Sequence, residues 1–320
     1  MLLISCTPTA PVRRDSAHVP AAAARAGGSG RVYVTNQQDN TLSVIDAGTY
    51  KVVATVPAGV APEGVAVTKD GKHVYIANSG SARVSVLDTR NNKIVATVPV
   101  GKSPTGVGLS PDGNSLYVTN GSSNTVSVID VRTNGVTATI SVGKSPVNVA
   151  FSPDGGTAYV ANSGSGSLSA INTRTRRVDR TLPTGRSPVG VAITPDGKLA
   201  YVADEVGRQV LAVATRTGKA TAVQVGEGPF DVAIGPDGHF AYSADLGPGN
   251  VSVIDTSSHR VSATIALGPP GTDPFNLEVT KEAIYVTNQG AGTLKVIDPT
   301  SRKVVATVTL GTSPYGVAVS

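Results

Sequence analysis

A tyrosine opens the same short phrase seven times along this chain: Tyr33-Val-Thr-Asn36, Tyr75-Ile-Ala-Asn78, Tyr117-Val-Thr-Asn120, Tyr159-Val-Ala-Asn162, Tyr201-Val-Ala-Asp204, Tyr242-Ser-Ala-Asp245 and Tyr285-Val-Thr-Asn288. The steps between these tyrosines are 42, 42, 42, 42, 41 and 43 residues. A period of this length belongs to propellers and solenoids, in which one repeat cannot bury its apolar face without a neighbour. Residues that recur in every copy serve packing first. Specific function must therefore be sought where the copies differ.

The repeat overrides the two-domain prior that 320 residues would otherwise carry. Charged residues make up 15% of the chain, and its 36 Gly and 21 Pro suit many short strands joined by tight turns. The class is all-β. In the copy from Gly101 to Val142, the strands are Val107–Ser110, Leu116–Asn120, Thr125–Asp130 and Val136–Ile140, with Pro111-Asp-Gly113 supplying the turn chemistry between the first two. Four antiparallel strands make one blade.

The order of strands at the two ends is decisive. The repeats begin at Arg31-Val32-Tyr33, a second strand, and finish at Gly316–Ser320, a first strand. That last segment completes the first blade, a closure that suits a ring and has no purpose in an open solenoid. The expectation is a closed seven-bladed β-propeller over residues 31–320.

Gly-x-x-Pro, Pro-Asp-Gly, Tyr-Val-x-Asn and Val-Ile-Asp recur in register, and on these motifs the repeats resemble the YVTN family of β-propellers. Local departures are Asp204 and Asp245 in place of the motif Asn, Ala214 in place of the Asp after the third strand, and Lys281-Glu282 in place of Asp-Gly. The resemblance implies an exported or surface-exposed protein with a binding or scaffold role. Seven-bladed relatives include lactonases and a streptogramin lyase, so the frame also admits an enzyme.

Residues 1–30 are expected to form a disordered tail outside the fold. Leu3-Ile4-Ser5-Cys6 resembles a bacterial lipobox, although the five residues before Cys6 contain neither a basic region nor an adequate apolar one. Two readings stay open: a chance tetrapeptide, or a lipoprotein whose start lies further upstream, with a lipid anchor on Cys6. Either fits an extracytoplasmic, secreted or envelope-anchored monomer. No stretch reaches the roughly 18 apolar residues of a membrane-spanning helix. The net charge of +5 includes no basic run, which disfavours a duplex-DNA reader.

The seven tyrosines are expected to pack between blades, the Asn after each to bond turn backbone, and Asp46, Asp88, Asp130, Asp255 and Asp298 to hold turns. Comparing copies, the residue after each lead-in-loop Pro is Glu63, Thr105, Val147, Val189, Phe230, Phe275 or Tyr315. The last three form an aromatic arc that either fills gaps between blades or faces a ligand. The next position adds Asn148, Asp231 and Asn276 beside it. Lys102, Lys144 and Arg186 follow the loop Gly in three consecutive copies, on the face that we term the top. Partner-binding candidates are thus Phe230, Phe275, Tyr315, Lys102, Lys144, Arg186, Asn148 and Asn276. An extended polymer, a protein segment or a small molecule would suit them. Single-stranded nucleic acid fits too, since bases stack on aromatics while cations follow phosphates.

The four histidines lie in the tail (His18) or beside turns of the opposite, bottom face (His73, His239, His259), which argues against a zinc site or a Ser-His-Asp triad at the mouth. No cofactor is expected on the main reading, a noncatalytic binding module. The alternative is a metal-assisted lactonase or lyase, with Asp204, Glu205, Asp231 and Asp245 holding Ca²⁺ or Mg²⁺ through oxygen.

Overall fold

In each repeat four strands pair antiparallel in chain order. The computed structural model describes residues 30–320; the readings on the tail and Cys6 lie outside the described residues. In the third blade, β8 (Pro104–Leu109), β9 (Ser115–Asn120), β10 (Thr125–Asp130) and β11 (Gly135–Ser141) form one sheet. Blade 1 breaks the pattern of chain order. There β28 (Pro314–Val319) pairs with β1 (Arg31–Asn36), followed by β2 (Thr41–Asp46) and β3 (Lys51–Pro57). Val32 faces Val319 and Tyr33 faces Ala318 across that closing ladder. The other blades run from β4 (Pro62–Val67) to β7 (Lys93–Pro99), β12 (Pro146–Phe151) to β15 (Arg177–Pro183), β16 (Pro188–Ile193) to β19 (Ala220–Gln224), β20 (Pro229–Ile234) to β23 (Arg260–Ala266), and β24 (Pro274–Val279) to β27 (Lys303–Thr309). The ring is a closed seven-bladed propeller.

The interior consists of seams between blades. Tyr75, Val84, Val86 and Val98 of blade 2 interlock with Leu116, Val118 and Ile129 of blade 3. Each Val or Leu buried in such a seam contributes roughly 1.5–3 kcal/mol relative to exposure. The repeat tyrosines stand in these seams, at most 4% exposed. Two of their hydroxyls reach the bottom turn of the next blade: Tyr75 Oη donates to Asn134 Oδ1 at 2.7 Å, and Tyr201 Oη lies 2.9 Å from His259 Nδ1.

Two sequence expectations need correction. The repeat Asn does not hold turn backbone: Ser127, seven residues after Asn120, is buried because adjoining blades cover both faces of a middle strand. Its hydroxyl takes a hydrogen bond from Asn120 Nδ2 at 3.0 Å, so the repeat Asn ties strand two to strand three instead of holding turn backbone. The same tie joins Asn36 to Ser43, Asn78 to Ser85 and Asn162 to Ser169. The lead-in loops are also shorter than expected. Each first strand begins at its Pro, and its ladder to the second strand slips register just after it, as between Pro104 and Val107. The residues compared across copies therefore belong to strands that wall the central channel. Among the described residues no helix is long and apolar enough to cross a membrane.

Candidate functional site

The first strands of all seven blades surround an axial channel of about 350 Å³. It extends from Thr105, Val147 and Phe230 at the top to Ile193 and Ile234 toward the bottom. Small residues let the strands converge: a Cβ on Gly106 would lie 2.3 Å from the Val147 carbonyl oxygen, and one on Gly316 would lie 2.5 Å from that of Glu63.

The three aromatics meet at the mouth. Phe230 and Phe275 stack with centroids 3.7 Å apart, and Tyr315 meets Phe275 edge-on at 4.5 Å. Phe275 is 8% exposed. The rings thus form a self-packed cap over one side of the channel, which leaves Phe275 little face on which a base could stack. The Tyr315 hydroxyl lies beside Glu63, which accepts from Gln37 Nε2 at 2.9 Å. Burial, then the charge of Glu63, hold the Tyr315 hydroxyl well above its ordinary range. Glu63 in turn is raised by its own burial.

One step deeper, Asn148, Asp231 and Asn276 form a polar bar across the channel. Asn276 Nδ2 donates to Asp231 Oδ2 at 2.8 Å, and the Leu277 amide donates to the same oxygen at 3.2 Å. Asn148 Nδ2 reaches Asp231 Oδ1 at 3.4 Å from two blades away. That reach passes over Gly190, where a Cβ would sit 2.4 Å from Asp231 Oδ1. Asp231 is 5% exposed, and burial pushes its carboxyl up to about 7, against the pull of the Leu277 and Val232 amides.

Two residues further along β24 stands Glu278, which the sequence reading missed. The equivalent residues of the other blades are Ala66, Gly108, Ala150, Ala192, Ala233 and Ala318, so a column-by-column comparison would have found it. Glu278 keeps some solvent contact through the channel, yet protein surrounds its carboxyl. Burial, with the charge of Asp231 second, raises it to about 7.

The four proposed metal ligands do not converge. Asp204 is fully buried, and Oδ1 accepts from the Arg186 and Ser187 amides at 2.8 Å while Oδ2 accepts from Gln209 Nε2 at 3.0 Å. Asp245 is also fully buried, taking bonds from Ser243 Oγ, Ser252 Oγ and the Gly226 amide. Its carboxyl is raised to about 6 by burial, which outweighs those bonds. Both aspartates use up their lone pairs in pinning lead-in loops and strands, Asp231 belongs to the channel bar, and Glu205 lies at the mouth, close enough for its charge to bear on Tyr315. Among the described residues no three His, Cys, Asp or Glu side chains are grouped to hold a metal ion.

The basic arc lies on the top rim of blades 3, 4 and 5. Lys102, Lys144 and Arg186 are exposed, and none forms an ion pair among the described residues. Their backbone is anchored from the neighbouring top turns: the Lys102 amide donates to Ser123 Oγ, the Lys144 amide to Ser165 Oγ and the Arg186 amide to Asp204. Glu227, further round the rim, is already paired with Arg208 at 2.6 Å. Among the described residues, His73, His239 and His259 stay at the bottom face and none lines the channel.

A family model described as a YNCE-like beta-propeller matches residues 10–113 and 109–210. Solved structures with the same fold include a chain of hydrazine synthase from Kuenenia stuttgartiensis, with 24% identity and a TM-score of 0.72 over 86% of this chain and 92% of that one. A functionally unknown protein from Desulfotomaculum acetoxidans superposes with a TM-score of 0.78 at 20% identity, over 91% and 99% of the two chains. Virginiamycin B lyase from Staphylococcus aureus superposes with a TM-score of 0.70 at 14% identity, over 90% and 92%. At these identities the likeness is one of fold. No curated protein matches the chain.

Proposed function

Because the chain belongs to the YNCE-like β-propeller family, a fold that hosts both binders and enzymes, we propose that it is a noncatalytic binding propeller whose top face engages an extended anionic partner. The observation that carries this reading is the basic arc. Three consecutive blades hold an exposed cation with no ion pair among the described residues, at one repeat position on a backbone pinned by hydrogen bonds. Cations spaced along a curved rim fit charges spaced along a polymer, and pairing them releases the counterions condensed on that polymer.

Of the two parts that its sequence position left open, this reading gives the aromatic cap the packing one. Its rings fix the mouth by packing on one another, so affinity in this reading rests on charge rather than stacking. Noncatalytic action is favoured because the buried carboxylates of blades 5 and 6 are occupied structurally and the histidines sit at the opposite face. The reading puts the protein outside the cytoplasm, on the strength of Leu3-Ile4-Ser5-Cys6 and the resemblance of its repeats to exported propellers.

The test is fluorescence anisotropy with a labelled single-stranded oligonucleotide as the polyanion, in low salt. Binding should weaken as salt rises, and the combined variant K102E/K144E/R186E should weaken it at least tenfold. An unchanged affinity in that variant would remove the rim from the account.

A further inference from the structure

The channel poses a separate electrostatic problem. Among the residues that line it, the only charged side chains are Asp231 and Glu278, and no basic group stands between them. Carboxylates enclosed by protein without a counter-charge are costly. Asp231 has partial relief from Asn276, Asn148 and the Leu277 amide. Glu278 has none, since no described residue donates a hydrogen bond to it. A glutamate introduced where the other blades carry Ala or Gly is not needed for packing, because the fold is built six times without it.

A second feature points the same way without depending on the carboxylates. Phe230 and Tyr315 line the upper end of this channel and bring aromatic surface to it. Aromatic faces attract cations through the ring quadrupole. A cavity of about 350 Å³, at the small end of the usual range for ligand sites, suits a compact molecule.

We propose that the channel binds a small organic cation, an ammonium-type head group held by the Asp231 and Glu278 carboxylates below the Phe230 and Tyr315 rings. The cation supplies the counter-charge that the protein lacks, and the Asn148 and Asn276 amides keep Asp231 aimed across the channel. Asp231 on β20 bears on Glu278, and Tyr315 on β28 lines the same channel, with Glu63 and Glu205 near Tyr315. All are acids, so none competes with the ligand as a cation. Asp231 and Glu278 hold their protons up to about 7, and binding of a cation therefore displaces protons near neutral pH.

This site is distinct from the rim, so the two proposals fail independently. The experiment is isothermal titration calorimetry of the full chain at pH 8 with choline, tetramethylammonium and butylamine, and with calcium chloride alone. At least one organic cation should bind saturably at one per chain. Affinity should fall at least tenfold in both Glu278→Ala and Glu278→Gln, and should weaken at least tenfold between pH 8 and pH 6. Runs at pH 7 in buffers of different ionisation heat should report net proton release. Glu278→Ala installs the residue that five other blades carry, and Glu278→Gln keeps the volume, so a loss in both reports on charge. The proposal is overturned if no organic cation saturates at tens of millimolar, if both variants bind as well as the parent, or if calcium alone gives the Glu278-dependent signal.

Discussion

Replacing Glu278 by alanine should stabilise the ring in alkaline solution and lose that advantage in acid. Folded Glu278 keeps its proton up to about 7, whereas an unfolded chain releases it near 4.5. Between those values the native state binds more protons than the unfolded state, so stability falls as pH rises through the window. One pKa unit corresponds to about 1.4 kcal/mol, so the full displacement is worth about 3 kcal/mol by pH 8. The carboxyl retains some channel water, which reduces the expected gain to about 2 kcal/mol. Below pH 4.5 the carboxyl is neutral in both states and the charge-dependent gain vanishes. Parent and variant should therefore be unfolded in urea at a series of pH values between 4 and 8.5, without added amines. The informative quantity is the difference between them as a function of pH, because any loss of side-chain packing is constant across the series. A difference that does not change with pH, or one that favours the parent more strongly at pH 8, would refute the buried-charge argument.

Two further substitutions probe the seams and the loop anchors. Tyr75→Phe removes the hydroxyl that reaches Asn134 and should cost about 1 kcal/mol, measured as a lower melting temperature; unchanged melting would mean that the inter-blade bond contributes nothing. Asp204→Ala strands the Arg186 and Ser187 amides and should cost about 3 kcal/mol, with faster hydrogen exchange at both amides. Calcium-dependent stability of the parent, lost in this variant, would instead return Asp204 to a metal-binding role.

The period was legible because every seam asks for the same side chains, and a tyrosine buried between blades leaves a mark each time. Ring closure was legible from strand order, since Arg31–Asn36 needs an inner partner and Pro314–Val319 supplies it. The role of the repeat Asn was harder to read. Its hydroxyl partner stands seven residues later, at Ser43, Ser85, Ser127 and Ser169, and is visible only once the third strand is known to be covered on both sides. Blade 5 explains its own exception: Leu211 stands where that Ser would be, and Asp204 turns to the lead-in amides instead. The aromatic arc was found by comparing copies, but its self-stacking follows from seven first strands converging on one axis, a property no single repeat contains. Glu278 escaped because the copies were compared only at the two positions after the Pro, and its column lies two residues further along the strand.

The closing ladder carries a consequence for how the molecule comes into being. Residues nearly the whole chain apart meet there, as when the Gly316 amide donates to Thr35 Oγ1 across 281 positions. On the ribosome β1 is made first of the described strands and β28 last, so blade 1 waits as a three-stranded sheet with its inner edge bare. Such an edge is a template for any passing strand, including the corresponding segment of another nascent copy. A vector for successful biogenesis is then speed of release relative to local concentration, and the short, tyrosine-clamped β28 acts as a clasp that turns an adhesive intermediate into a sealed ring.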